Sequence, residues 1–299
     1  MQCLFGPVLS RRLGLSMGVN LLPYKTCNMD CIYCELGCTR KLTTERASYF
    51  SPERVLAEIR SRANEGFDYL TFAGSGEPTL CSDLGQILRE AKEIIDSPLA
   101  VITNSSLLTS KKVRDEISVS DVVLPSLDAV TPKAFQAINR PAESLRIEKI
   151  VEGLRAFRQE YGGEIWLEVM LVKDVNDDDI EAIARTSRSI GPDRIQLNTV
   201  VRPPAEPVSP LSEERMLEIL GCFDNAELIP DWDWNVPQSS EEALLGLLED
   251  RPSTMEEICS RIGMNKEKII KYLKILETEG KVSKRPQCGR QYFEAREKL

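Results

Sequence analysis

The chain has 299 residues, of which 42% are hydrophobic and 28% charged, with a net charge of −9 at neutral pH. That length can bury one large core and a smaller one, while the acidic balance argues against a protein that binds nucleic acid over its whole surface and leaves room for a local basic patch. No run approaches the roughly 18 apolar residues needed to span a bilayer, and no basic region followed by an apolar run opens the chain, so a cytoplasmic protein with no membrane partner is expected.

Gly18 to Tyr24 reads as a short buried strand that runs directly into Cys27-Asn28-Met29-Asp30-Cys31-Ile32-Tyr33-Cys34. Three cysteines so close together offer soft thiolates converging on one point, which suits an iron–sulfur cluster or zinc. The chain has nine cysteines and no histidine. The commonest zinc co-ligand and the commonest acid–base group are thereby removed, and reduced cysteines point to metal or redox chemistry rather than a disulfide framework.

Beyond this loop, Ser51-Pro52 starts a helix, with Ser51 as its cap and Pro52 at its first position. A strand from Asp68 ends in Gly74-Ser75-Gly76-Glu77-Pro78. Helix Asp83 to Ile95 precedes strand Ala100 to Thr103, and helix Ser110 to Ile117 precedes strand Asp121 to Leu127. Helix Leu145 to Glu160 leads to strand Ile165 to Val172, and helix Asp177 to Ile190 to strand Arg194 to Val200. Six strands alternating with helices predict an α/β fold with a parallel sheet, and six units are too few to close an eightfold barrel, so a partial (β/α)6 barrel is expected.

The period of two puts Leu167, Val169 and Leu171 on the helix side and Trp166, Glu168 and Met170 inward. Gln196, Asn198, Ser126 and Asp128 are likewise expected inward. These polar residues gather at the carboxyl ends of the strands, where barrel active sites form.

After a proline-rich connection from Pro203 to Pro210, a helix runs from Ser212 to Phe223, and Asp231 to Pro237 reads as a linker. The division expected is a core domain over 1–236 and a small domain over 237–299. The latter reads as a winged helix-turn-helix. Its elements are a helix from Glu241 to Leu248, a helix capped by Ser253 with Glu256 completing the capping box, a turn at Gly263 to Asn265, a helix from Lys266 to Glu279 ended by Gly280, and a two-stranded wing around Gly289. Lys266, Lys268, Lys271 and Lys274, with Lys284, Arg285 and Arg290 in the wing, form its basic face. From Ser239 onward 12 basic side chains meet 11 acidic ones, leaving −10 for the rest, an asymmetry that favours a polyanion contact there. A solvated helix face on a domain used for protein contacts is the alternative. Cys222 and Cys259 read as buried hydrophobes.

The spacing Cys-x3-Cys-x2-Cys with Tyr33 before the last cysteine resembles the S-adenosylmethionine (SAM) radical enzyme superfamily, and Gly74-Ser-Gly-Glu77-Pro78 resembles its glycine–glutamate motif. The resemblance covers roughly residues 18 to 202. It implies that Cys27, Cys31 and Cys34 hold a [4Fe-4S] cluster whose fourth iron chelates SAM, that reduction releases a 5'-deoxyadenosyl radical, and that an external donor such as a flavodoxin or ferredoxin supplies the electron. It further implies SAM contacts from Gly74, Gly76 and Glu77, polar contacts from Asn104, Ser126, Asp128 and Asn198, and packing of Tyr33 near the adenine.

Glu168, Met170, Lys173 and Arg202 are the candidates lining the substrate's place. The segment Gly6 to Ser16 and the winged helix resemble a branch related to the wyosine-forming tRNA enzymes, without a repeated ligand spacing for a second cluster. A tRNA, another nucleic acid, or a peptide gripped by the winged helix is the substrate this implies. A rival reading takes Cys38 as a fourth ligand, making a closed zinc or sensing site in a DNA-binding regulator.

Overall fold

The computed structural model describes residues 3–202, 204–229, 244–245, 247–248, 252–255, 257–258, 266–287 and 290–296. The chain divides into two compact units, Met1–Gly6 with Arg12–Ile229, and Pro7–Arg11 with Pro230–Leu299. The boundary expected at 236 falls outside the described residues.

One sheet holds strands β1 (Leu4–Ser10), β2 (Gly14–Val19), β5 (Tyr69–Phe72), β6 (Leu99–Thr103), β7 (Val122–Pro125), β8 (Glu164–Leu171), β9 (Arg194–Thr199) and β10 (Ala226–Leu228), hydrogen-bonded in the order β1-β2-β5-β6-β7-β8-β9-β10, and all but β1 lie wholly in the larger unit. Every neighbouring pair from β2 to β10 is parallel. Between them lie α1 (Pro52–Ser61), α2 (Leu84–Lys92), α3 (Lys111–Ile117), α4 (Pro132–Ile138), α5 (Ile147–Glu160), α6 (Ile180–Ile190) and α7 (Glu213–Leu220). A two-strand ladder, β3 (Thr26–Cys27) with β4 (Lys41–Leu42), sits in the cysteine loop.

The sequence pattern accounts for the layering. Alternate strand residues Met17, Val19, Leu70, Phe72, Val101, Val123, Ile165 and Leu167 share a core with the apolar faces of α1 to α5, and Val169, Leu171, Ile195 and Leu197 share another with α6 and α7. The intervening residues lie on the other face. Near the amino ends of the strands that face is apolar, with Leu13, Ala100, Val122, Leu124 and Trp166 clustered. One level higher it becomes polar: Glu168 pairs in register with Gln196, and Met170 with Asn198. The inward assignment of Glu168, Gln196 and Asn198 from the period of two therefore matches the sheet.

Several elements depart from the expected pattern. The first parallel strand is Gly14–Val19 rather than Gly18 to Tyr24, because the Asn20 side chain accepts from Leu22 N at 3.3 Å and donates to Leu22 O at 3.0 Å, turning the chain. Leu21 and Leu22 are buried as a loop instead. β1, β10 and α4 were not anticipated. β1 contains Gly6-Pro7, β10 has only three residues, and α4 is too short for a helical period, although Thr131 accepting from Ala134 N with Pro132 at the first position is a legible cap. Cys222 is exposed rather than buried, since α7 ends at Leu220 and Gly221 is its cap.

In the smaller unit, β11 (Ser253–Thr254), β13 (Arg290–Ala295) and β12 (Val282–Gln287) form an antiparallel sheet in the order β11-β13-β12. Helix α8 (Lys266–Thr278) buries Ile269, Leu273 and Leu276 against Leu244, Leu248, Ile258, Val282 and Phe293, a spacing that keeps one helix face apolar. Glu256, the partner expected for a Ser253 capping box, lies outside the described residues; one residue on, Thr254 Oγ1 accepts from Glu257 N at 3.4 Å and Glu257 Oε2 accepts from Thr254 N at 2.9 Å. Two cations of β12 are ion-paired, Lys284 with Glu277 at 2.7 Å and Arg285 with Glu294 at 3.7 Å. The turn at Gly263 to Asn265, Gly289, Cys259, and the side chains of Lys266, Lys268 and Arg290 lie outside the described residues.

One half-buried arginine fixes the turn that follows β5. Arg46 donates to Thr79 O at 2.7 Å and to Cys81 O at 2.8 Å, and its guanidinium pairs with Glu116 of α3. Replacing it leaves a mostly buried carboxylate and two carbonyls without donors. Arg46→Met is expected to lower the unfolding free energy by about 2–4 kcal/mol, read from the urea midpoint at constant slope.

A three-cysteine loop as the candidate active site

The cysteine loop is held from three sides. Lys25 N donates to Ser75 O at 2.6 Å, and Lys25 O accepts from Arg40 N and Lys41 N. Thr26 bridges Gly76 in parallel, and on the far side Asp30 N and Ile32 N donate to carbonyls at the end of α4, those of Asn139 and Ile138. Two glycines make this possible. A Cβ on Gly76 would lie 1.8 Å from Thr26 O, and Gly74 adopts φ +129 beside the Asn20 side chain, a conformation open to glycine alone. The Gly-Ser-Gly segment is thus required by close backbone approach to the cysteine loop.

Each of the three cysteine sulfurs faces a nitrogen donor from a different element. Lys25 Nζ lies 3.1 Å from Cys34 Sγ, Asn139 Nδ2 3.4 Å from Cys31 Sγ, and Asn104 Nδ2 3.7 Å from Cys27 Sγ. Burial, followed by the charge of Glu77, pushes the Cys27 thiol up to about 11. Burial and then Asp128 push Cys31 up as well. Cys38 is exposed. Among the described residues no three His, Cys, Asp or Glu side chains converge on one ion, as the roughly 2.3 Å bonds of a tetrahedral zinc site require.

Glu77 is 3% exposed and saturated with donors. Oε1 accepts from Thr79 N, Thr79 Oγ1 and Thr103 Oγ1 at 3.1, 2.5 and 2.6 Å, and Oε2 accepts from Asn104 N at 2.7 Å. Burial raises its carboxyl while these bonds lower it, and burial prevails. With about four acceptor sites on a carboxylate, Glu77 is committed to the protein. It joins the turn after β5 to the end of β6.

Asn104, at that end, also donates to Asn28 Oδ1 at 2.7 Å and accepts from Ser106 Oγ at 2.6 Å. Asp128 forms a second hub. Its Oδ2 accepts from Tyr33 OH at 2.5 Å and Asn139 Nδ2 at 2.7 Å, and its Oδ1 from Met170 N at 3.0 Å. Asn104, Ser126, Asp128 and Asn139 line a small cavity with Met29 and Phe135.

Glu168 lies next to this hub on the sheet, since Ser126 bridges it in parallel. Its carboxylate pairs with Arg12 and accepts from Asn198 Nδ2 at 2.8 Å. The structure therefore brings Tyr33, Glu77, Asn104, Ser126, Asp128, Glu168 and Asn198 into one contiguous polar group beside the cysteines. Lys173 is exposed just beyond the end of β8, and Arg202 is exposed in an ion pair with Glu35 at 2.6 Å, at the rim of the loop.

Sequence reasoning missed Arg12, Lys25, Asn28, Thr103 and Asn139. Lys25 and Asn28 flank Cys27 and could have been noticed on that ground. Asn139 is 108 residues from the sulfur it faces, and nothing local marks it.

The donor set fits an iron–sulfur cluster. Desolvated thiols resist ionisation, and thiolates are the metal-binding form, so a soft cationic group is what would displace their protons. The ring of N–H donors is then suited to sulfur carrying negative charge.

A family model described as the radical SAM superfamily matches residues 21–186, and the chain belongs to that superfamily. It is accordingly a radical SAM enzyme, with a [4Fe-4S] cluster and SAM as its cofactors. It is 34% identical over 98% of its length to a UPF0026 protein of Methanocaldococcus jannaschii, covering 96% of that protein. It is also 37% identical over 93% of its length to a Brachyspira hyodysenteriae protein named GTPase Obg, of which it spans only 43%. Among solved structures, a radical SAM methyltransferase from Sphaerobacter thermophilus shares the fold, with a TM-score of 0.55 and 19% identity over 71% of this chain and 66% of that one.

Asp128 gives a pH signature. Burial raises its carboxyl from 3.8 to about 6, so the folded chain holds this proton more tightly than the unfolded chain. Stability present near pH 4 is lost as the pH rises through 6. Asp128→Asn removes that dependence: between pH 4 and 7 the wild-type apo-protein should lose about 2–3 kcal/mol of unfolding free energy relative to the variant, measured by urea titration.

Proposed function

We propose that Cys27, Cys31 and Cys34 hold the [4Fe-4S] cluster and that SAM lies over it at the carboxyl ends of the parallel strands. The single observation that carries this is the loop itself, with three half-buried thiols each facing an N–H donor, clamped to the Gly74–Glu77 turn. When bound, the cluster supplies the electron that opens the SAM sulfonium bond and so provides a 5'-deoxyadenosyl radical for hydrogen abstraction.

The chain's own residues bind, orient and shield. Gly74 and Gly76 offer backbone to the methionine end of SAM, and Glu77 holds that backbone in place through Thr79, Thr103 and Asn104. Tyr33, Asn104, Ser126, Asp128 and Asn198 surround the nucleoside end. Glu168 and Met170 line the approach of substrate on the polar level of the sheet, which we read as the inside of a partial (β/α)6 barrel, and Lys173 and Arg202 lie at its rim. An external one-electron donor such as a flavodoxin or ferredoxin would supply the electron to the bound cluster. The cytoplasm, where thiols stay reduced, suits this chemistry. The exposed position of Cys38 favours three thiolates over a closed four-thiolate regulator site.

For the substrate, we read the smaller unit as a winged helix of the branch related to the wyosine-forming tRNA enzymes, presenting a nucleic acid. The arrangement of β11, α8, β12 and β13 and the lysines along α8 support this reading. The ion pairs of Lys284 and Arg285 instead favour a peptide or protein as the second reading, because paired cations release fewer counterions.

Two experiments decide these points. Anaerobically reconstituted protein, reduced with SAM present, should release 5'-deoxyadenosine. Cys38→Ala should retain four irons and this activity, whereas Cys34→Ala should lose both; a Cys34→Ala protein with an intact, SAM-cleaving cluster would refute the ligand assignment. If the substrate is a nucleic acid, the double variant K268E/K271E should weaken tRNA binding at least tenfold and flatten its salt dependence. Unchanged affinity in a filter-binding titration selects the peptide reading.

A further inference from the structure

We infer that Lys25 tunes the cluster: its ammonium donates to Cys34 Sγ and holds the cluster's reduction potential up, making the protein easier to charge with an electron. The inference rests on Cys34 being a cluster ligand, as proposed above.

Lys25 has φ +57, in the left-handed region, which disfavours side chains other than glycine or asparagine. Its N–H and carbonyl are fully used, on Ser75 and on Arg40 and Lys41, and those bonds need no lysine side chain. A residue chosen for the backbone alone would be glycine or asparagine. What lysine adds is its side chain, and the residue is only 3% exposed.

A buried ammonium requires a counter-charge. Among the described residues no carboxylate lies within ion-pair distance of Lys25 Nζ, and its recorded partner is the Cys34 sulfur at 3.1 Å. The other two sulfurs face neutral amides, Asn139 and Asn104, at longer distances of 3.4 and 3.7 Å. The donor ring is therefore asymmetric, with one cationic, short contact and two neutral, longer ones. Charge-assisted hydrogen bonds are about twice as strong as neutral ones, and hydrogen bonds to the sulfurs, together with net charge and exposure, set the potential of an iron–sulfur cluster. A positive charge at one ligand sulfur stabilises the reduced, more negative state over the oxidised one. Lys25 is thus a positioning and tuning residue that acts through Cys34 rather than touching substrate.

The test is an EPR-monitored redox titration with dithionite of the reconstituted enzyme. In Lys25→Met with four irons bound, the equilibrium constant for one-electron reduction should fall at least tenfold, a shift of about 59 mV to lower potential. Lys25→Arg, which keeps charge and donors, should remain within about threefold of the wild type. An unmoved midpoint in a four-iron Lys25→Met protein overturns the inference.

Should Lys25→Met fail to assemble, Lys25→Gln carries the same expectation. The wild type offers a measurement independent of any substitution: with 15N-lysine incorporated, pulsed EPR of the reduced cluster should show a 15N coupling, and its absence also overturns the inference. A Cys34→Ala protein that keeps its cluster removes the ligand assignment, and this inference with it. A full cluster with an unmoved potential removes only the role of Lys25.

Discussion

The carboxylate of Glu77 is the constraint on which the site depends. It is buried, pushed toward the neutral form by its surroundings, and kept in place by donors from two strand ends. Through Asn104 it is one bond from the Cys27 sulfur and one from Asn28 inside the loop. Through its own turn it sets Gly76 against Thr26. A side chain that sequence motifs present as a ligand contact is, in the folded chain, first a tie between consecutive parallel strands. The backbone it fixes is the surface that a cofactor would meet.

The layering of the sheet explains where polarity is tolerated. Toward the amino ends, the face away from the helices is filled by Trp166, Val122, Leu124 and neighbours, and Arg194 rests over the Trp166 ring at 4.5 Å. One residue pair further along, Glu168, Asn198 and Arg12 replace apolar side chains and satisfy one another. Gln196 at the same level donates to Glu227 at 2.8 Å, while its Oε1 finds no partner among the described residues. Buried polar groups normally find partners, so this level of the sheet is organised around polarity where packing alone would have chosen hydrocarbon.

Much of this was legible in the amino-acid order because the signals are local. The Cys-x3-Cys-x2-Cys spacing, the Gly-x-Gly-Glu turn and the alternation along β8 are all read within ten residues, and the period of two assigned Glu168 and Leu167 to opposite faces. What escaped was of two kinds. Short or punctuated elements, such as β1 with its Gly6-Pro7 and the three residues of β10, carry too little periodicity to register. Long-range partners, such as Asn139 on Cys31 and Arg12 on Glu168, have no local signature because they are set by how the strands and helices come together.

The protonated character of the buried thiols has a consequence for how such a protein matures. Burial makes Cys27 and Cys31 hold their protons more tightly than exposed cysteines do, so taking up iron and sulfide must expel protons from the site. Maturation is then an exchange of protons for metal at the carboxyl edge of the sheet. The newly made chain can keep Cys27 and Cys31 unreactive toward oxidants, whose target is the thiolate, until a metal-carrying donor arrives.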